Sequence, residues 1–295
     1  MREPATVRML PDGRRLHLQD GPIDLIVEAS GSPNAMHCAY ESAARRFVSI
    51  LDELCAELPL LRSRATNDSP WPKSKIAQCM VDAVAPYRAD SFITPMAAVA
   101  GAVAEAVLAA MTREGQLDRA YVNNGGDIAL HLANSHSYTI GMVERPDEPS
   151  LFGTVELSSK MPIRGVATSG RRGRSFSLGI ADAVTVLAER AAPADAAATI
   201  IANAVDLPRH ASIVRQPARE IAPDSDLGAL PVTRAVGNLS NAEIIRALES
   251  GASAAENLIA RGLIHAAALC LRGQTQVVGT SAGAIGDLHR SLLHA

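Results

Sequence analysis

Apolar and polar residues alternate through residues 7–10, 15–19 and 23–29, the period-two pattern of short strands, with Asp12-Gly13 as a hairpin turn between the first two. From 34 to 58 the period lengthens to that of a helix, with Ala43, Phe47, Ile50, Leu51 and Leu54 on one side and Pro59 ending the run. Residues 62–75 are polar and carry Pro70-Trp71-Pro72, the signature of a loop or short linker, and helical spacing returns over 75–85. Pro95 then opens a long helix, 96–114, in which Ala98, Gly101 and Ala102 leave room for close backbone approach. Tyr121-Val122 runs as a strand into a Gly125-Gly126 turn, with 128–132 and 137–144 as its expected antiparallel partners. Strands at 155–157, 165–168 and 183–188 follow, then a helix at 195–205 and an irregular stretch, 207–230, holding Pro208, Pro217 and Pro223. A helix at 241–261 and strands at 264–272 and 275–279 complete the pattern. This order predicts an α+β fold with a mixed, mainly antiparallel sheet and packed helices.

Composition narrows the function. Hydrophobic residues make up 47% of the 295 positions but aromatic ones only 3%, so the core is built from Ala, Val, Leu and Ile, and a ring-shaped ligand finds few stacking partners. Tyr40, Tyr87, Tyr121 and Tyr138 are the only tyrosines. A net charge of −3 gives no electrostatic footprint for nucleic acid. Cys38, Cys55, Cys79 and Cys270 have neither C-x-x-C spacing nor His partners at zinc intervals, and read as thiols of a reducing compartment. Residues 1–21 lack the apolar run of a secretory signal, and no stretch reaches the ~18 apolar residues of a membrane span. The expectation is a cytoplasmic protein without membrane or nucleic-acid partners. No nucleophile elbow, P-loop or G-x-G-x-x-G after a strand is present, so hydrolase and kinase chemistry are unsupported.

Chemistry-bearing residues gather in three blocks: Asn123-Asn124-Gly125-Gly126-Asp127, Gly165-Val166-Ala167-Thr168-Ser169-Gly170 and Ala194-Asp195-Ala196-Ala197-Ala198-Thr199. Asp195 and Thr199, four residues apart after Pro193 at an expected helix start, point off one face. A carboxylate with a hydroxyl is a hard-oxygen pair suited to Mg²⁺, which keeps water and substrate phosphates in its other positions. The alternative is local, with Asp195 capping its own helix and Thr199 bonding back to a carbonyl. Gly125-Gly126 and Ser169-Gly170 offer backbone without Cβ against which a phosphate-bearing ligand can lie, or form an ordinary β-turn and strand end. Arg171, Arg172 and Arg174 either clamp phosphates or line a solvated loop.

In this order, with Ile140-Gly141-Met142-Val143 between the first two, the blocks resemble the FAD:protein FMN transferases, the ApbE-like proteins. The resemblance implies a two-lobed, T-fold-related ApbE-like domain over 1–295, with an N-terminal lobe to about 90, a motif-bearing core to about 206 and C-terminal elements beyond. It puts the family's helix-opening segment on 99–105, keeping Gly101 and the acid Glu105 but with Ala100 in place of a charged residue. Its metal ligands fall on Ala97, Asp195 and Thr199, the first through its main chain, and its flavin-contacting aspartate falls on Thr94. Cofactor contacts are implied at Thr94, Gly101, Gly125, Gly126, Asp127, Thr168, Ser169 and Gly170, with Mg²⁺ and FAD or a related nucleotide as ligands and an acceptor protein as partner.

The transferases carry a long insert ending in His-x-Ile-Asp-Pro-x-Thr-Gly where this chain has only residues 171–182, which makes it most similar to the ApbE-like proteins of uncharacterised protein family 0280. Asp182 either replaces the aspartate of the lost signature as a catalytic residue or caps a turn. The expected function is binding of a flavin or related nucleotide with magnesium, with FMN transfer to a protein Thr or Ser as the reaction: an acceptor hydroxyl attacks a phosphorus of the diphosphate and AMP leaves. A non-catalytic binding or accessory module, and a metabolic enzyme reusing the cleft, stay open beside it.

Overall fold

The computed structural model describes residues 4–113, 115–143, 151–279 and 285–286. Its first strands are β1 (Thr6–Met9), β2 (Arg15–Asp20), β3 (Ile23–Gly31), β4 (Leu117–Asn124), β5 (Asp127–Leu132) and β6 (Ser137–Val143). There follow β7 (Leu151–Ser158), β8 (Gly165–Ser169), β9 (Ala183–Ala188), β10 (Ile213–Pro217), β11 (Pro231–Val236), β12 (Ala266–Leu271) and β13 (Gln274–Gly279). The helices are α1 (Pro33–Ala56), α2 (Leu58–Leu61), α3 (Lys75–Val84), α4 (Val99–Met111), α5 (Ala191–Ala204), α6 (Ala218–Ile221) and α7 (Asn241–Ala260). This is the α+β class expected. The chain divides into two compact units.

The first unit comprises Met1–Ser137, Ser158–Ala167 and Glu189–Ala196. Its sheet runs β1-β2-β3-β4-β5-β8, and every one of these pairings is antiparallel. Burial alternates strictly along most of β3, so one face is apolar, and α1 and α4 cover that sheet, α1 on β2 and β3 and α4 on β4 and β5. Phe47 and Ile50 of α1 are fully buried with Leu18 and Leu25 of the strands. Ser32 caps α1, its side chain accepting the Ala35 N–H. Pro59 lies inside α2 rather than just beyond α1, a position the first turn of a helix tolerates because no N–H is needed there. Pro95 opens a 3₁₀ turn, Pro95–Ala98, and the α-helix begins only at Val99.

The second unit comprises Tyr138–Leu157, Thr168–Ala188 and Ala197–Ala295. Strands β9, β12 and β13 pair in that order, antiparallel from β12 to both neighbours, with α7 against β12 and β13. Every residue of β9 and β12 is buried, which explains the apolar composition of both strands, broken only by Thr185, whose hydroxyl pairs with that of Thr168. Strand β6 was expected beside β4 but lies in a separate small sheet with β7; β4 has β3 and β5 as its neighbours. The stretch read as irregular, 207–230, contains β10, which pairs antiparallel with β11 just beyond it; Pro217 and Pro231 face each other where the chain leaves β10 and returns into β11.

Candidate active site

Helix α4 begins without a cap of its own, because Ala98 precedes it and has no side chain that can accept an N–H. Asp195 does this from a different helix. Its Oδ2 accepts the Gly101 N–H at 3.0 Å, and the Ala100 N–H is bonded to the same carboxylate. In return Glu105 of α4 accepts the Ala192 N–H, in the first turn of α5, at 2.8 Å. The two helices thus cap each other's N-termini. Gly101 permits the contact, since a Cβ there would stand 2.4 Å from the Ala191 carbonyl oxygen. Helix α5 starts at Ala191 and not at Asp195, so the local capping role considered from the sequence is replaced by capping in trans.

The Gly125-Gly126 turn is fastened to the same place. Both glycines have positive φ, 66° and 112°, and Asn123 Oδ1 accepts the Gly126 N–H at 2.8 Å. Asn124 Nδ2 donates to the Ala100 carbonyl oxygen at 3.2 Å, tying the turn to the start of α4. Asp127, buried at the head of β5, adds its charge to the surroundings of Asp195. Desolvation, and then repulsion from Asp127, hold the Asp195 carboxyl well above the usual carboxylate range, against the opposing pull of the Gly101 and Ala100 amides. The residue as a whole is half-buried while its carboxyl group is desolvated. A Cβ on Gly126 would meet nothing within 4 Å, so the turn faces open space.

In the second unit Asp182 is enclosed, with 1% of its side chain exposed. Its Oδ1 accepts from Arg171 Nη2 and Arg172 Nε, and its Oδ2 from the Arg272 backbone N–H at 2.7 Å. The short segment that stands where the transferases have their insert is therefore anchored. Arg171 N–H donates to the Ala181 carbonyl, Leu178 N–H to Asn203 Oδ1 and Thr233 N–H to the Ser177 carbonyl. Arg171 and Arg172 turn inward to Asp182, whereas Arg174 is exposed, as on the solvated loop that was the alternative. Gly170 is required by close packing, as its Cβ would lie 2.5 Å from the Asp182 carbonyl oxygen.

Of the residues singled out in the sequence, Gly101, Gly125, Gly126, Asp127 and Asp195 come together in the first unit. Thr94, buried, and Ala97, half-buried, belong to the turn that leads into α4, the Ala97 N–H donating to the Thr94 carbonyl at 3.1 Å. Thr199 follows one turn beyond Asp195 on α5. Thr168, Ser169, Gly170 and Asp182 group in the second unit, where Thr168 Oγ1 bonds Thr185 Oγ1 at 3.0 Å. Tyr40 and Tyr121 have structural partners: Tyr40 donates to the Arg14 carbonyl and Tyr121 to Glu28.

A family model described as AbpE bacteria matches residues 7–277. The chain belongs to that family. Its sequence is 41% identical over 129 residues to a UPF0280 protein of Methanopyrus kandleri, covering 44% of this chain and 48% of that one. A UPF0280 protein of Methanothermobacter thermautotrophicus is 42% identical over 124 residues, covering 41% and 46%. The chain spans about half the length of the curated relatives it matches. Among solved structures it is similar to a mutant of the flavin transferase ApbE from Vibrio cholerae, with a TM-score of 0.49 and 12% identity over 94% of this chain and 97% of that one.

For this AbpE bacteria family protein the donor chemistry around Asp195 suits a hard cation in part. Two carboxylates, Asp127 and Asp195, act on one another, and one carries a backbone-capping duty besides. Among the described residues no group of three or more His, Cys, Asp or Glu stands ready for a metal, so a cation held there would need backbone, hydroxyl, water or substrate oxygens to complete its shell. No helix among the described residues is long and apolar enough to cross a membrane. The sequence set Asn123 and Asn124 in the first block and Glu105 at the end of the 99–105 segment without giving any of the three a role. The Asn-Gly spacing signals the two asparagines, whereas the task of Glu105 has no local sign.

Proposed function

We propose that this protein acts in the cytoplasm, binds a flavin or related nucleotide with Mg²⁺ at the Asp127 and Asp195 site, and transfers FMN from FAD to a Thr or Ser of an acceptor protein. The observation that carries this reading is the desolvated Asp195 carboxyl held beside the charge of Asp127. Two mutually repelling acids are poor material for a cap alone, and an Asn would cap α4 without the repulsion. A cation turns their repulsion into attraction. Asp127 and Asp195 would hold it, with the Ala97 carbonyl as a further oxygen donor. Bound there, Mg²⁺ supplies charge neutralisation at the diphosphate.

In the transfer, the acceptor hydroxyl oxygen forms a bond to the FMN phosphorus, the bridging P–O bond to AMP breaks, AMP leaves with the bonding pair, and the hydroxyl proton passes to solvent or to a carboxylate. The open Gly125-Gly126 turn lets main chain approach the ligand, and the Asp195 cap fixes the start of α4 beside it. Thermal melts with Mg²⁺ and FAD test the site. Asp195→Asn keeps an acceptor for the Gly101 N–H and loses the charge, so a gain from Mg²⁺ that is equal in wild type and Asp195→Asn removes the metal assignment.

A second reading is favoured by one observation. Both Asp182 oxygens are occupied by arginine and backbone donors, which suits a structural anchor better than a group that must act on substrate. On that reading the protein is a non-catalytic binding module. Mass spectrometry of FAD, Mg²⁺ and acceptor peptides decides between the two: AMP release with a flavinylated peptide supports transfer, and ligand binding without either supports the module.

A further inference from the structure

The Asp182 carboxylate is one negative charge on which three arginines converge. Arg171 and Arg172 donate to it with their guanidinium groups and Arg272 with its backbone N–H, while the Arg272 guanidinium reaches the carbonyl oxygens of Val236 and Gly237. This is more than an ion pair needs. Arg172 uses only Nε on Asp182 and, among the described residues, leaves its terminal amino groups for another acceptor. Arg171 Nε is buried and has no hydrogen-bond partner among the described residues. The side chains of Arg171 and Arg172 are only 15% and 27% exposed, so water does not dissipate their charge as it would on a solvated loop. Desolvation, with repulsion from Arg172 and Arg272, pulls the Arg171 pKa down even though Asp182 opposes the shift.

Unused guanidinium donors beside uncompensated positive charge call for an acceptor-rich anion. A carboxylate offers two oxygens and one charge. A phosphoryl group offers three oxygens and up to two charges, and guanidinium forks match its geometry. We propose that Arg171, Arg172 and Arg272 form an oxyanion site in the second unit that takes a phosphoryl group, free or carried on a nucleotide. Asp182 serves there as the positioning residue that holds two of the arginines and the Arg272 backbone in place. The site stands independently of the Asp127 and Asp195 reading.

The experiment uses the full chain in chloride buffer at constant ionic strength, with inorganic phosphate as the probe, read by thermal melting and by ³¹P line broadening. Wild type should gain several degrees and broaden the phosphate line. Arg172→Gln should lose most of both effects, Arg172→Lys should fall between, and Asp195→Asn should behave as wild type. Because each gain is a difference from the same variant in chloride, a variant of lower intrinsic stability still gives a reading. ADP without Mg²⁺ in the Asp195→Asn background identifies the source: stabilisation by ADP and not by phosphate assigns the site to a nucleotide phosphate. No response to either probe in wild type, or an equal response in Arg172→Gln, overturns the proposal.

Discussion

Asp195 Oδ2 accepts the Gly101 N–H at 3.0 Å across 94 residues of chain, and so caps a helix to which it does not belong. The duty separates from charge by substitution. Asp195→Ala should lose about 1–2 kcal/mol of stability, the usual cost of a missing N-terminal cap, and Asp195→Asn should lose little. Urea unfolding checks this; equal losses in both variants would mean that the cap contributes nothing.

The pH dependence follows from the direction of the Asp195 shift. Its folded pKa is raised, so the native state favours the uncharged acid, and the contribution is fully present below the unfolded value and is lost as pH rises through the folded one. Without metal, wild type should therefore lose stability relative to Asp195→Asn as pH climbs from 4 into the neutral range. Adding Mg²⁺ should diminish that loss by holding the ionised form. Parallel stability curves for the two proteins would remove Asp195 as the titrating group.

The glycines divide by what a side chain would strike. A Cβ on Gly101 stands 2.4 Å from the Ala191 oxygen and one on Gly170 stands 2.5 Å from the Asp182 oxygen, whereas Gly126 faces open space at φ 112°. Alanine at 101 or 170 should cost at least about 1–3 kcal/mol, as overpacking does. Gly126→Ala has only backbone strain to absorb, about 1 kcal/mol or somewhat more, which leaves it the variant that reports on ligand approach. Chemical denaturation ranks the three, and a Gly126→Ala protein that is the least stable of them contradicts the geometry.

Glu105 also shields a thiol. Cys79 Sγ lies 3.4 Å from Glu105 Oε2, and burial, with the charge of Glu105, pushes the Cys79 thiol up to about 12. Cys55 is exposed. Iodoacetamide at pH 8 should modify Cys55 at least tenfold faster than Cys79, since only the thiolate reacts. Peptide mapping gives the rates. Comparable rates at the two positions would show that the α3 and α4 packing around Cys79 opens readily.

Much of the fold was readable from local pattern. Strands β1 to β5, α1, α7 and the β12 to β13 hairpin follow from period and turn chemistry, because each side chain's burial repeats with its own element. The Arg272 and Gly273 turn has positive φ at both residues, 52° and 75°, the form a two-residue hairpin requires. The α7 start shows the same economy: Ser240 and Glu243 close a capping box that needs no other part of the chain.

The site was legible only as residues. Asp195, Asp127 and the paired glycines stand out in the sequence by type and spacing, yet their relations depend on contacts that no local pattern encodes. Helix α5 begins before Asp195 because Glu105, far off in sequence, satisfies the Ala192 N–H, and this moves Asp195 from the head of its helix into reach of Gly101. In the same way Arg171 and Arg172 read as solvated until Asp182 and Arg272 enclose them. Hydrophobic period and turn residues decide which elements form, since those energies are local. Which donors meet which carboxylates, and which of those carboxyls can ionise, is decided only when tertiary packing excludes water from pairs that the chain keeps far apart.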